Sequence, residues 1–161
     1  MTEEQFTRAV KAYGDDLYRI AFSWCKNRPD AEDIVQGAFI KYLRTDKSFE
    51  SDAHVRNWLI RVVINDCKKL MISPWRTRCE PLEEYAQRLY ADEPSDGELF
   101  LAVMSLPQKE RVAVHLYYYE GYSVREIGRL LRVNESTIQS RLASARKKLK
   151  SKLKEAWNSD E

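Results

Sequence analysis

Apolar residues return at steps of three and four along most of this chain, the spacing of one helix face. Phe6, Val10, Tyr13, Leu17, Ile20 and Trp24 make the first such row. It reads as one helix, or as a helix pair if Gly14 breaks it. Pro29 and Asp30 start the next helix, because proline suits an early helical position. Its inner face is Ala31, Ile34/Val35, Ala38/Phe39 and Tyr42/Leu43. A polar loop runs from Thr45 to about Asp52. The third helix spans roughly Ala53 to Ile72, ahead of Pro74, with Leu59, Val62, Val63 and Leu70 on one side. Three helices of this length form one compact bundle.

Periodicity is lost over residues 74–97, where Pro74, Pro81, Pro94, Ser95 and Gly97 punctuate an acidic stretch. A short helix around Leu82–Tyr90 fits locally, but composition favours a mobile, semi-extended linker. A second unit begins near Glu98, with Leu99, Val103 and Leu106 on one face. Pro107 opens a helix that ends at Gly121, a C-cap position. Ser123 caps the next helix, whose face is Val124, Ile127, Leu130 and Leu131. After a break at Arg132-Val133-Asn134, Asn134 can cap a last helix with Ile138, Leu142, Ala145, Leu149 and Leu153 as its stripe. Strand signals are weak, so the predicted class is all-α: two small helical domains, 1–75 and 99–157, joined by a flexible acidic linker, 76–98.

Charge sharpens this division. Residues 121–157 hold ten Lys/Arg against three Asp/Glu, and residues 76–98 hold three against seven, while 1–75 are nearly balanced. One end therefore suits a polyanion. The 161 residues contain no apolar run approaching a membrane span. The start, MTEEQFTRAV, is unlike a signal peptide, so a cytoplasmic protein without membrane insertion is expected. Cys25, Cys67 and Cys79 lack any C-x-x-C pairing, and only His54 and His115 could join them. No metal and no cofactor is expected, and the cysteines read as small buried thiols.

The stretch "YSVREIGRLLRVNESTIQSRLASARKKLKSKL", residues 122–153, admits two readings. One is a solvated helical hairpin with a basic tail. The other is a helix-turn-helix, whose second helix enters a major groove N-terminal end first. Glu135, Ser136, Gln139, Ser140 and Arg141 would then face the DNA, with Arg146 and Lys147 further along. Gln can pair with adenine and Arg with guanine, while Ser and Lys hold phosphates. The third helix carries a second polar row, Arg61, Asn65, Lys68 and Lys69. It lies beside the loop KSFESDAH, whose Phe49 could stack on an unpaired base. The alternative is that Phe49 and Trp58 are core residues, and for Trp58 that is the favoured reading.

These pieces together resemble a bacterial sigma factor of the extracytoplasmic-function type, in the sigma-70 family. "DAEDIVQGAFIKYLR", 30–44, is similar to that family's core-polymerase-binding segment, and "WLIRVVINDCKKL", 58–70, to its −10-reading helix. "LPQKERVAVHLYYYEGYSVREIGRLLRVNESTIQSRLASARKKL", 106–149, is similar to its −35-reading domain. The resemblance implies a dissociable, non-enzymatic subunit that directs core RNA polymerase to promoters and helps open them. It implies partners: the clamp helices of the largest polymerase subunit, the flap of the second-largest, promoter DNA, and an anti-sigma factor. In holoenzyme the protein would be nucleoid-associated. Core-polymerase binding would fall to Asp30, Asp33, Ile34, Gln36, Phe39 and Lys41. The −10 contacts would be Phe49, Asp52, Ala53, His54, Arg61, Asn65, Lys68 and Lys69. The −35 contacts would be Arg125, Ser136, Thr137, Gln139, Ser140, Arg141, Ser144, Arg146 and Lys147. The acidic linker would thread toward the RNA exit path. This chain departs from the family pattern at Gly37, Glu50, Ser51, Gln139 and Ala143-Ser144, so no relative's promoter sequence carries over.

Two rivals stand beside this reading. A helix-turn-helix activator that does not replace a sigma factor explains 106–149 but leaves 30–44 and 58–70 without a role. A metal-dependent phosphoryl-transfer enzyme could use Asp30, Glu32 and Asp33. On a helix, however, 32 points away from 30 and 33, and the chain has no glycine-rich phosphate loop.

Overall fold

The computed structural model describes residues 1–74, 82, 86 and 94–159, with main chain alone at 94–95 and 155–159. Among the described residues every regular element is helical. The chain divides into two units, Met1–Cys79 and Glu80–Glu161.

The first unit is three helices: α1 Glu3–Cys25, α2 Arg28–Arg44 and α3 Asp52–Met71. Each start is closed by a short polar side chain, which satisfies backbone N–H groups that the helix leaves unpaired. Thr2 and Gln5 form a reciprocal capping box on α1. The Asn27 amide oxygen accepts Asp30 N–H at 2.9 Å, and Ser51 Oγ accepts His54 N–H at 3.1 Å. Pro29 lies in the first turn of α2, as its spacing predicted. All three helices pack pairwise. Leu17, Ile20, Leu59, Ile60, Val63 and Ile64 are fully buried between them, each worth roughly 1.5–3 kcal/mol of burial. An aromatic cluster closes one end, with Tyr42 and Trp58 both against Phe49, at 5.6 Å between ring centroids in each case.

Gly14 does not break α1. One glycine costs only about 1 kcal/mol in a helix, and the apolar face continues through Leu17 and Ile20. The predicted faces are also slightly rotated. Val10 and Leu43 are exposed, and Ala9 is buried in place of Val10.

In the second unit, α4 Pro94–Met104 and α5 Gln108–Val114 precede a π-helical turn, His115–Tyr119, followed by α6 Val124–Leu131 and α7 Glu135–Ser159. Residues 94–98, expected in the linker, are instead the first turn of α4. Pro94 needs no hydrogen-bonded N–H there, Asp96 complements the positive helix end, and Gly97 is buried. Leu99, expected inward, is exposed. The remainder of the expected linker lies outside the described residues, as does the short helix at 82–90, except that Leu82 and Ala86 are helical and buried.

The helix expected from Pro107 to Gly121 widens at His115. Glu120 N–H bonds to His115 O at 3.1 Å, five residues back. His115 Nε2 and Glu120 Oε1 lie 3.0 Å apart, both side chains buried. Gly121 then takes φ +75°, a value glycine adopts without strain. Ser123 and Glu126 make a capping box on α6, and Asn134 O receives the N–H groups of Thr137 and Ile138 at the start of α7.

The turn between α6 and α7 depends on Gly128. Its carbonyl accepts Val133 N–H at 3.0 Å and the Arg132 N–H as well. A Cβ on Gly128 would stand 2.8 Å from Val133 O, a backbone atom. Gly128→Ala is expected to destabilise the second unit by about 1–3 kcal/mol, the usual range for overpacking. Gly37→Ala, where a Cβ meets nothing within 4 Å, is expected to stabilise the first by about 1 kcal/mol. Thermal unfolding of the intact chain reads both, and a Gly128→Ala variant that melts with the parent would show that the turn yields.

Candidate nucleic-acid and polymerase interface

Three surfaces collect most of the residues singled out in the sequence. On α2, Asp33, Gln36 and Lys41 are exposed and Asp30 is half-buried, whereas Ile34 and Phe39 are buried and face the core. Lys41 Nζ is held 2.9 Å from both carboxylate oxygens of Asp66 on α3. The outer row of α2 runs Asp33, Gln36, Ile40, Leu43, at three-four-three spacing, and its last two members are 43% and 57% exposed. Sequence reasoning missed Ile40 and Leu43. Their outward position is set by how α2 rolls on α1, which periodicity alone leaves uncertain by a residue.

After Asp52, its first residue, the exposed positions of α3 are Ala53, Asn57, Arg61, Asn65 and Lys69, an unbroken row at i, i+4 spacing. Asn57 completes it and was not among the sequence candidates. Lys68 is half-buried beside the row. Asp52 and the loop before α3 form a separate feature. The Phe49 ring sits edge-on to His54 at 5.1 Å and also packs on Trp58 and Tyr42. It is thus a half-buried wall of the cluster and not a free platform. His54 Nδ1 accepts Glu50 N–H at 3.1 Å, which puts the ring proton of the neutral form on Nε2. A cavity of about 700 Å³ opens between this loop and the first half of α1, lined among others by Arg8, Tyr13, Phe49, Ser51 and Asp52. Tyr13 Oη donates to Asp52 O at 3.2 Å. Burial, then the Asp52 charge, pushes the Tyr13 phenol above its ordinary value, so it remains a donor. The Arg8–Asp52 pair, at 3.5 Å with both side chains mostly exposed, adds little stability.

On α7, Ile138, Leu142 and Ala145 are buried. A helix with that inner stripe turns Ser136, Ser140, Ala143 and Lys147 outward, and all four are exposed, as is Gln139. Thr137 and Arg141 are half-buried on the flank. Arg125, Arg129, Arg132 and Glu135 line a cleft of about 360 Å³ along the turn.

The basic stretch of α7 is not uniformly available. Lys148 Nζ and Ser144 Oγ both donate to Glu110 Oε1 on α5, at 2.9 and 2.8 Å. Lys152 Nζ donates to Ser105 Oγ at 2.6 Å. Arg146 Nε donates to Tyr118 Oη at 2.6 Å, and its guanidinium lies 5.7 and 5.9 Å from the Tyr118 and Tyr117 ring centroids. Ser144 and Arg146, both sequence candidates for DNA, therefore already hold α7 to the rest of the unit. Among the described residues, no cluster of three metal-ligating side chains occurs and no helix is long and apolar enough to cross a membrane.

Comparison with known proteins accounts for both units. Residues 9–77 match the family profile described as Sigma-70 region 2, and residues 97–149 the one described as Sigma-70, region 4. The chain is 33% identical over 148 residues to the ECF RNA polymerase sigma factor SigM of Mycobacterium tuberculosis, covering 89% of this chain and 74% of that protein. It is 26% identical over 160 residues to the RNA polymerase sigma factor SigV of Bacillus subtilis, covering 95% and 96%. Its fold is similar to the sigma factor RpoE of Bartonella quintana, solved in complex with the anti-sigma factor NepR. The TM-score is 0.69 at 21% identity, over 94% of this chain and 98% of that one.

The Glu110 network makes the second unit acid-sensitive. Burial alone would raise the Glu110 carboxyl, but its bonds from Lys148 and Ser144 outweigh burial and leave it below the ordinary value. A folded pKa below the unfolded one gives stability that is full above the unfolded value, about 4.3, and lost as pH falls through the folded one. Glu110→Gln is therefore expected to melt lower than the parent near neutral pH, with the gap narrowing below about pH 4. Denaturant titrations across that range check it, and a gap that stays constant with pH would refute it.

Proposed function

The chain belongs to the sigma-70 family as an extracytoplasmic-function sigma factor, directing promoter-specific transcription, and from that premise we propose which surfaces carry out each step. The outer row of α2 docks on core RNA polymerase, against the clamp helices of the largest subunit. The exposed row of α3, with the Phe49–His54 loop, holds the −10 non-template strand as the duplex opens. The helix-turn-helix of α6 and α7 reads the −35 element near the flap of the second-largest subunit. The domains are 1–75 and 94–157, the second opening with the first turn of α4, with 76–93 as linker. The protein works in the cytoplasm, on the nucleoid when in holoenzyme, as a non-enzymatic subunit, and an anti-sigma factor holds it in reserve. The carrying observation is that a helix-turn-helix and a separate helix with an exposed polar and basic row occur on one chain, in the family's order.

The α2 surface supports a helical partner. Asp33, Gln36, Ile40 and Leu43 have the seam spacing of packed helices, acidic and polar first, apolar last. Ile34 and Phe39 shape this helix from inside. On α3, Asn65 is exposed in mid-helix, where an amide costs helix propensity but can bond a base edge. On α6, Arg125 with the turn cleft suits phosphates, while on α7 Gln139 with Ser136 and Ser140 face the groove.

Run-off transcription with core polymerase tests the reading as a whole, and permanganate footprinting of the −10 region tests opening. Asn65→Ala is expected to lower permanganate reactivity while upstream duplex binding persists. Asp33→Ala, Gln36→Ala and Leu43→Glu are expected to weaken core binding with little change in melting temperature, since all three positions are exposed. Core affinity unchanged across the three would remove α2 from the interface.

The −35 contacts separate by salt. Arg141→Ala is expected to weaken every sequence alike and to lower the salt slope by roughly one unit, because one fewer counterion is released. Gln139→Ala is expected to leave the slope alone, to cost about 1–3 kcal/mol on the best promoter, and to relax preference at one base pair. Holoenzyme binding to a randomised −35 library at several salt concentrations reads both. A Gln139→Ala profile that keeps every base preference would assign specificity to its neighbours or to DNA shape.

A further inference from the structure

Two of the three cysteines meet inside the first unit. Cys25 is the last residue of α1, and Cys67 lies one turn before the end of α3. Neither is in a disulfide, both are buried with 1% and 0% exposure, and the Cys67 thiol is hydrogen-bonded to Cys25. The sequence reading took them as separate buried thiols, because 42 positions of chain hide the contact. The two thiols lie within hydrogen-bonding reach of each other, on helices that pack together, and a disulfide would require the sulfurs to close to about 2 Å.

We propose that Cys25 and Cys67 form a latent disulfide site, closed by a peroxide when the first unit loosens. The chemistry balances with hydrogen peroxide alone. One thiol, as thiolate, attacks a peroxide oxygen, giving a sulfenic acid and one water. The second sulfur displaces that hydroxyl as a second water, and the S–S bond forms. Two hydrogens leave the protein, and one peroxide is reduced.

The closed unit protects the pair. The bond to Cys25, then burial, keeps the Cys67 thiol protonated by pushing it up from its ordinary value, and a protonated thiol is a poor nucleophile. Helix ends are among the first segments to open, and both sulfurs sit near such ends. Opening admits water and oxidant together. A bond from 25 to 67 then encloses all of α2, the loop after it and most of α3. It removes conformational freedom from the loosened state and so draws the unit back toward the closed one. The site responds to loosening and oxidant in coincidence, and it is independent of how the unit contacts DNA or polymerase.

The test uses the full chain carrying Cys79→Ser, so that no third thiol can exchange. Hydrogen peroxide is applied in the cold and again just below the first melting transition, followed by peptide mapping without reduction. The expected result is intact thiols in the cold and a Cys25–Cys67 linked peptide near the transition. The linked chain should melt higher by on the order of 10 °C, and dithiothreitol should reverse the gain. Sulfinic acid at either position without a linked peptide would overturn the proposal. So would a linked chain that melts no higher, or linkage as fast in the cold as near the transition.

Discussion

The rolling of each helix about its own axis decides what this protein can present. In the first unit Leu17, Ile20 and Ala21 of α1 have no exposure, and α2 and α3 both pack against α1. Once Ala31, Ala38 and Tyr42 lie against that post, α2 has no choice about its outer row. The same holds for α3. With Leu59, Ile60, Val63 and Ile64 buried, Ala53, Asn57, Arg61, Asn65 and Lys69 are left outside. Core packing and interface are thus one constraint seen from two sides, and an error of one residue in the roll would exchange Gln36 for Val35 or Asn65 for Ile64.

The sequence made much of this legible because the strongest signals are local. Ser123, read as a cap, does cap the helix that follows; Asn27 and Ser51 cap theirs in the same way, though the sequence reading did not single them out, and in each case the side chain and the N–H it serves lie within three residues. Ser51, which departs from the family pattern, has that plain local duty. The position of Gly121 was legible for the same reason. The sequence left a choice open, or missed it, where the choice depends on something distant. Gly14 is a break or not according to what the helix buries beyond it. The π-helical turn at His115–Tyr119 follows no period that a pattern of apolar residues records. Pro94 reads as linker by composition, and only the core formed by Val103 and Leu106 makes a helix worth starting there.

The candidate interface was legible by class and less so by residue. Polar and basic rows announced nucleic acid, yet side chains of one chemistry serve two purposes on α7. Ser144 reaches Glu110 across 34 positions of sequence and Arg146 reaches Tyr118 across 28. Neither partner is visible to a helix wheel, which sees only that both residues lie outside the apolar stripe. Gly128 was overlooked for a related reason. Its missing side chain matters only because Val133 O passes 2.8 Å from where a Cβ would sit.

That division of labour along α7 changes what its charge means. Ten Lys/Arg in residues 121–157 suggest a strong polyanion grip, but a cation helps DNA binding only to the extent that it releases counterions from phosphate. Lys148 is neutralised by Glu110, Lys152 is turned to Ser105, and Arg146 is held against two tyrosine rings. To reach phosphate, each would first have to give up a contact that fastens α7 to Ser105, α5 or the π-helical turn. Lys147, on the outward pole, and Arg125 and Arg132, at the turn cleft, face no such exchange among the bonds seen here. The electrostatic footprint is therefore concentrated around the turn and the first half of α7. That is also where the uncharged, outward-facing residues Ser136, Gln139 and Ser140 lie. Much of the distal charge instead anchors the helix, so that the turn and the first half of α7 are presented from a fixed base.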